Sequence, residues 1–338
     1  MIKRIYTCIF VGVAASMLLF SCGKKKSKDG RTDTYSSGSV SFVADESFSP
    51  IIEEERDVFE ATYPKAKVTP IYSNEVDGMN MLLRGETHLL IAARDFTEEE
   101  KQAWLRGNTG VSLGFTEKEK QNLKERNFAP KSMPIAYDGL ALIVNKANQD
   151  TCISIRDVKR ILTGSAKKWS DIYPSSTRGN ITLVFDNNKS SSVRFVEDSL
   201  LNGKPITAAA VSAVKKTAEV VDFVEKNPGA IGIIGSNWLN DRRDSTNLTF
   251  NKNIRVMSVS KLANATPENS WKPFQYYLYN GNYPLVRTIY ALINDPINGL
   301  PWGFAQFIAS PKGQLIILKS GLLPVQGNIT IRNVNVSN

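Results

Sequence analysis

From residue 40 onward, apolar residues recur at every second position, then at every third or fourth, then at every second again. Val40 to Ala44 reads as a strand, whereas Pro50 to Tyr63 sets Ile51, Ile52, Phe59 and Tyr63 on one helical face. Ser49 and Pro50 suit a helix start, since a hydroxyl can satisfy a free amide and proline is preset for the first turn. Lys67 to Tyr72 follows as a second strand, Asp77 to Arg84 as a short helix and His88 to Ala93 as a third strand. This βαβαβ order predicts an α/β fold with a mainly parallel sheet and helices outside it.

The remainder keeps the rhythm. A charged stretch, Glu98 to Arg126, reads as helical in part, and a long strand runs from Ser132 to Val144. Helices are expected at Ile155–Leu162, Ser191–Leu201 and Ala218–Lys226, with strands at Ile181–Phe185 and Ala230–Ile234. Leu285–Ile293 reads as a strand, Leu300–Ile308 and Lys312–Leu318 as helices. No internal repeat is visible.

The N-terminus is of another kind. Lys3 and Arg4 precede an apolar run, Ile5 to Phe20, that is too short to span a membrane comfortably; this is the pattern of a secretory signal peptide over residues 1–21. The run ends in Leu19-Phe20-Ser21-Cys22, which resembles the lipobox of bacterial lipoproteins, where the cysteine thiol is lipidated and becomes the first residue. An ordinary signal peptide with an incidental cysteine is the alternative. Residues 22–39 are polar and rich in Gly, Ser and Lys, so a flexible basic linker is expected. Its lysines would each add about 1 kcal/mol of attraction to an anionic bilayer.

Charge and cysteines exclude several functions. The chain carries 42 Lys+Arg against 33 Asp+Glu, but beyond residue 33 the balance is 35 to 31. The excess therefore belongs to the leader and linker. No basic stripe marks the body as a nucleic-acid binder. Cys152 is the one cysteine of the body and His88 the one histidine of the chain, so no intramolecular disulfide or cysteine metal cluster can form there, and a histidine-based metal site or triad has little material. Cys152 reads as a small buried residue. No cofactor or metal is expected.

Six segments, in order, resemble the PstS-type substrate-binding proteins of phosphate ABC importers. They are GETHLLIAARDFTEEE (85–100), PIAYDGLALIVN (134–145), ILTGSAKKWSDI (161–172), NPGAIGIIG (227–235), YPLVRTIYALIN (283–294) and SPKGQLIILKSGLLPV (310–325). The resemblance implies a two-lobed periplasmic binding protein fold of type II. Each lobe would be a mixed sheet flanked by helices, and two crossing strands would form the hinge. It places lobe 1 at 38–138 plus 255–330 and lobe 2 at 139–254, closing by hinge motion around a ligand in the cleft.

The same resemblance selects site residues. Ser47 and Phe48 match family positions that bind phosphate through hydroxyl and backbone, although Ser47 and Ser49 also suit helix capping. Lys189-Ser190-Ser191-Ser192-Val193-Arg194 lies where the family carries a Gly-Ser-Gly-Thr anion loop. Ser191 falls on the family serine, Ser192 on a glycine and Val193 on a threonine, so one donor is lost and close backbone approach is hindered. Glu75 stands where a serine usually donates to phosphate. A carboxylate about 4 Å from an anion costs about 4 kcal/mol at an effective dielectric near 20. Arg94, Lys189 or Arg194 would have to offset it. Either Glu75 has taken the proton-accepting role that an aspartate fills in some members, or the ligand differs and carries hydroxyls or a cation.

Catalysis finds no support. His88 begins an apolar strand, no G-x-S-x-G elbow exists, and Gly229-x-x-Gly232-x-x-Gly235 lies in a turn followed by a strand rather than before a helix. The expected function is thus that of an extracytoplasmic receptor for phosphate or a related small oxyanion. It would serve an ABC permease of the inner membrane, held to the bilayer by Cys22, facing the periplasm and monomeric. The alternative is a diverged sensing or adhesion lipoprotein of the same fold with a non-phosphate ligand.

Overall fold

The computed structural model describes residues 30–101, 130–239, 252 and 254–326. The expected signal peptide, Cys22 and most of the Glu98–Arg126 stretch lie outside them. By compactness the chain divides into residues 1–32 and 33–338, and the account concerns the second unit. No described helix is long and apolar enough to cross a membrane.

Strand β1 (Gly38–Asp45) leads through a 3-10 turn at Glu46–Phe48 into helix α1 (Ser49–Thr62). Next come β2 (Ala66–Ser73), α2 (Glu75–Leu83) and β3 (Leu89–Ala92). The long β4 (Lys131–Asn145) is followed by β5 (Cys152–Ser154), α3 (Ile155–Leu162), β6 (Thr182–Phe185) and α4 (Ser191–Leu201). The chain continues through β7 (Val211–Ala213), α5 (Thr217–Lys226), β8 (Ala230–Gly235), β9 (Ile254–Val256), β10 (Ser258–Ser260) and α6 (Gln275–Tyr279). It closes with β11 (Val286–Ile293), α7 (Leu300–Ala309), α8 (Pro311–Lys319) and β12 (Leu323–Pro324).

One mixed sheet runs β2-β1-β3-β11-β4-β8-β6-β7, with β12 and β9 also on β4. β1 pairs parallel with β2 and β3, and β6 pairs parallel with β7 and β8, as the crossover helices require. β4 joins the two halves. Its first part pairs with β11, whereas Leu140 to Val144 pair with β8. The apolar cores divide likewise. Phe42, Phe59, Ile91, Ile289 and Phe304 pack in the first lobe; Leu142, Trp169, Leu183, Phe195 and Ile231 pack in the second.

Two boundaries differ from expectation. β9 pairs with β4 and β10 with β5, and Leu278, Tyr283 and Leu285 join the second core, so the chain stays with that lobe well beyond residue 254. β4 is one crossing strand; the return comes after α6, where β11 begins beside β4. The linker also ends early. Asp33 Oδ2 accepts the Leu300 amide at the start of α7, and Tyr35 meets Tyr63 edge-on at 6.4 Å. Gly303 permits this, because a Cβ there would lie 1.9 Å from the Tyr35 carbonyl oxygen. A polar sequence hid one capping carboxylate and one packed ring. Cys152, expected to be buried, is partly exposed on β5.

Candidate functional site

The C-terminal ends of parallel strands are where α/β sheets bind ligands, and here they converge from both lobes. Asp45 ends β1, Asp186 follows β6, and Gly235 ends β8 with Ser236 directly after it. Arg287 enters from β11 and Asp138 from β4; all these side chains are buried.

Arg287 organises the floor of this cleft. Its Nε donates to Asp138 Oδ2 at 2.9 Å, while Asp138 Oδ1 accepts both the amide and the hydroxyl of Ser236 at 2.8 Å. Its Nη1 donates to Ser191 Oγ at 2.9 Å and to Ser192 Oγ at 3.4 Å. The guanidinium lies over the Phe48 ring, 4.9 Å from its centroid, a cation–π contact in a dry setting. Nη2 lies 2.9 Å from Asp138 Oδ2, the same oxygen that takes Nε, so it is ion-paired there without a well-directed hydrogen bond of its own. Gly235 makes the approach possible: a Cβ there would come within 2.8 Å of Asp138 Oδ2 and Asn237 Oδ1, and 3.2 Å of Nη2.

Ser47 completes the floor. Its hydroxyl donates to Asp45 Oδ1 at 2.7 Å and lies 3.3 Å from Ser191 Oγ of the other lobe. Its carbonyl accepts Asn237 Nδ2 and Trp238 Nε1. Acceptors without partners lie at this cluster, Asp45 Oδ2 and Asn237 Oδ1, and the Asp186 carboxyl beside them has only the Ser190 hydroxyl as a donor. Burial raises the Asp45 carboxyl, and nearby Glu75 adds to the rise; Arg287 and the Ser47 bonds pull the other way. Asp186 is raised to about 7, chiefly by burial and then by Asp45, against weaker pulls from Ser190 and Arg287. Buried acceptors left open cost about 1–3 kcal/mol each.

Of the residues selected from sequence, Ser47, Phe48, Ser191 and Ser192 thus gather around Arg287. Glu75 sits at the rim with its charge already met. Ala93 N–H donates to its Oε2 at 2.9 Å, and Arg194 bonds Oε1 through Nε and Oε2 through Nη2. The offset expected from Arg94 or Lys189 does not arise. Arg94 turns away to chelate Glu100 at 2.7 and 2.8 Å, and Lys189 reaches Asp77 at 3.3 Å with both side chains about half exposed. Arg94 thus pairs with an acid six residues on, and Lys189 with one on the exposed edge of the other lobe. Ser190 rather than Ser191 caps α4, accepting Val193 N, which frees the Ser191 hydroxyl for Arg287.

Sequence reasoning missed Arg287, Asp138, Asp45 as an open acceptor, and Asp186. A signal existed for the first: Arg287 shares strand parity with Ile289, Ala291 and Ile293, so alternation puts a guanidinium on a buried face. Such a residue demands a buried anion partner.

A groove of about 730 Å³ lies apart from this cluster, lined by Tyr137, Lys159, Lys261 and Tyr279 among others, and includes none of the cleft residues.

Comparison with known proteins bears on the fold and the family. The phosphate-binding protein PstS of Staphylococcus aureus (strain USA300) is 23% identical over 312 residues, covering 90% of this chain and 84% of the relative. A Clostridium perfringens protein crystallised with bound phosphate, assigned as a phosphate ABC transporter substrate-binding protein, superposes with a TM-score of 0.64 at 23% identity. That match covers 86% of this chain and 100% of the other. An ABC-type phosphate transport receptor from Vibrio cholerae gives 0.58 at 17% identity, covering 85% and 100%. A family model described as the PBP superfamily domain matches residues 29–312, most of the sequence, and the chain belongs to that superfamily as a relative of the PstS-type substrate-binding proteins.

Proposed function

We propose that this chain is the extracytoplasmic receptor of a phosphate ABC importer, holding one phosphate between its lobes and handing it to a permease of the inner membrane. The observation that carries the reading is the cleft floor, where a buried guanidinium and the Ser191 and Ser192 hydroxyls it contacts face the Asp45 and Asp186 carboxyls, Asp45 keeping one oxygen without a donor. A small oxyanion answers the first set. Only an oxyanion carrying its own protons answers the second. Phosphate does both, whereas sulfate offers charge without hydroxyls. Ser47, Phe48, Ser191, Ser192 and Arg287 bind the anion in this reading, and Asp45 and Asp186 accept its hydroxyls. The protein acts as a receptor rather than an enzyme. Cys22 would carry the lipid anchor, and the monomer would face the periplasm.

The test is calorimetry with phosphate and sulfate on residues 33–338 across pH 6 to 9. Each hydroxyl given to a carboxylate needs its proton in the complex. Phosphate affinity is therefore expected to fall above about 7, where Asp186 loses its own proton, by about tenfold per pH unit for each proton taken up. Sulfate should bind far more weakly throughout. Equal affinity for the two anions would sink the reading.

A further inference from the structure

The rim of the cleft differs from its floor in having its charges satisfied without any ligand. Glu75, buried at 1% exposure, comes from α2 of the first lobe, and Arg194 comes from α4 of the second. Arg194 grips two features of the first lobe at once: both Glu75 oxygens, and the Ala93 carbonyl through Nη2 at 3.0 Å. Its Nη1 is steadied from its own helix by Asp198 at 3.0 Å. Glu75 in turn is fixed on its own lobe by the Ala93 amide. A second crossing contact supports this one. Glu46 accepts the Thr217 amide at 3.0 Å and its hydroxyl at 2.7 Å, placing a first-lobe carboxylate at the N-terminus of α5 in the second lobe.

We infer that Glu75 and Arg194 form a latch that draws the lobes together without cargo, with Glu75 acting as a resident anion. In this arrangement cleft closure is set in part by the protein's own ion pair, so the pair governs how fast an anion enters and leaves. A guanidinium with three crossing bonds, two to Glu75 and one to the Ala93 carbonyl, biases the closed form by about ten- to a hundredfold. Asp77–Lys189, both half exposed, adds little. The inference concerns the same cleft as the phosphate reading, but its first test uses no ligand.

Small-angle scattering of residues 33–338 reads the latch directly, since that compact unit contains both lobes. A compact chain of this length has a radius of gyration of about 19 Å. The wild type is expected to hold that compact value with or without phosphate. Glu75→Gln keeps an acceptor for the Ala93 amide but loses the charge, and should expand in the absence of ligand. Arg194→Met, altering the more exposed partner, should expand similarly, and the double variant no more than either alone. Stopped-flow mixing with phosphate should then show an association rate at least about tenfold faster in the variants, because no latch must open first. A wild type already expanded without ligand would overturn the latch, as would variants that stay compact. Those comparisons decide it whether or not phosphate proves to be the cargo.

Discussion

Among the described residues, Glu55 and the cleft carboxyls Asp45 and Asp186 are all buried with raised pKa values, and they differ in what surrounds them. In the first lobe Glu55 lies on α1 among Ile51, Ile52, Ile91, Ile135 and Ile289, with both oxygens unpartnered, and burial raises it to about 9. In the cleft, Asp45 and Asp186 are also raised by burial, and Asp45 also holds an unpartnered oxygen. There, however, Arg287 and the serine hydroxyls stand opposite. A perturbed carboxyl alone does not define a site. A perturbed carboxyl facing convergent donors does, because the two sets together describe a ligand.

The sharpest way to break this comparison is to remove the donor that Glu55 lacks and the cleft possesses. Arg287→Met should abolish measurable phosphate binding, a loss of at least about a thousandfold for a buried charge contact. It should also destabilise the fold by about 3–5 kcal/mol, since Asp138 is left as an uncompensated buried charge. Calorimetry and denaturant unfolding of the same variant separate the two effects.

Glu55 should respond in the opposite sense. Its folded-state value lies above its unfolded value, so the native state retains a proton that the unfolded chain releases between about 4.5 and about 9. Stability from this group is therefore complete below that window and lost as pH rises through it, by about 1.4 kcal/mol per unit. Glu55→Met should remove that slope and stabilise the protein by about 3 kcal/mol at pH 7, leaving phosphate affinity unchanged. Urea unfolding of both proteins at pH 5, 7 and 8.5 checks it; a gap that does not widen with pH would contradict the account.

Smaller effects sort the serines and the rim cations. Ser191→Ala removes the 2.9 Å contact to Arg287 and one donor for the anion, so affinity should fall about ten- to a hundredfold. Arg94→Ala and Lys189→Ala remove side chains paired with Glu100 and Asp77, away from the floor, and should leave phosphate affinity within about threefold of wild type. Titrations of the three variants side by side would show whether floor and rim are distinct.

Much of the fold was legible because periodicity reports burial. Helices Ile155–Leu162 and Ser191–Leu201 fall where the 3.6-residue spacing puts them, and β4 extends one residue beyond the expected strand at either end. The short strands β5, β7, β9, β10 and β12 escaped, since two or three residues carry no readable alternation. The cleft was legible in part. Serines before a helix and after β1 mark amide-rich turns, which local sequence displays. Arg287 was not found because its role depends on Asp138 across a β-ladder and on Ser191 96 residues away, a placement set by topology. The rim was misjudged for a related reason: the cation that meets Glu75 lies 119 residues on in sequence, and the nearer Arg94 is taken by Glu100.

The central claim, that the floor receives an oxyanion bringing its own protons, is tested most directly by counting protons. Phosphate is titrated into residues 33–338 at pH 8.5 in buffers of different ionisation enthalpy, and the dependence of the measured heat on the buffer gives the protons exchanged. The account predicts net uptake of about one proton or more with phosphate, with no matching signal from sulfate. Phosphate binding at that pH with no proton taken up would contradict it.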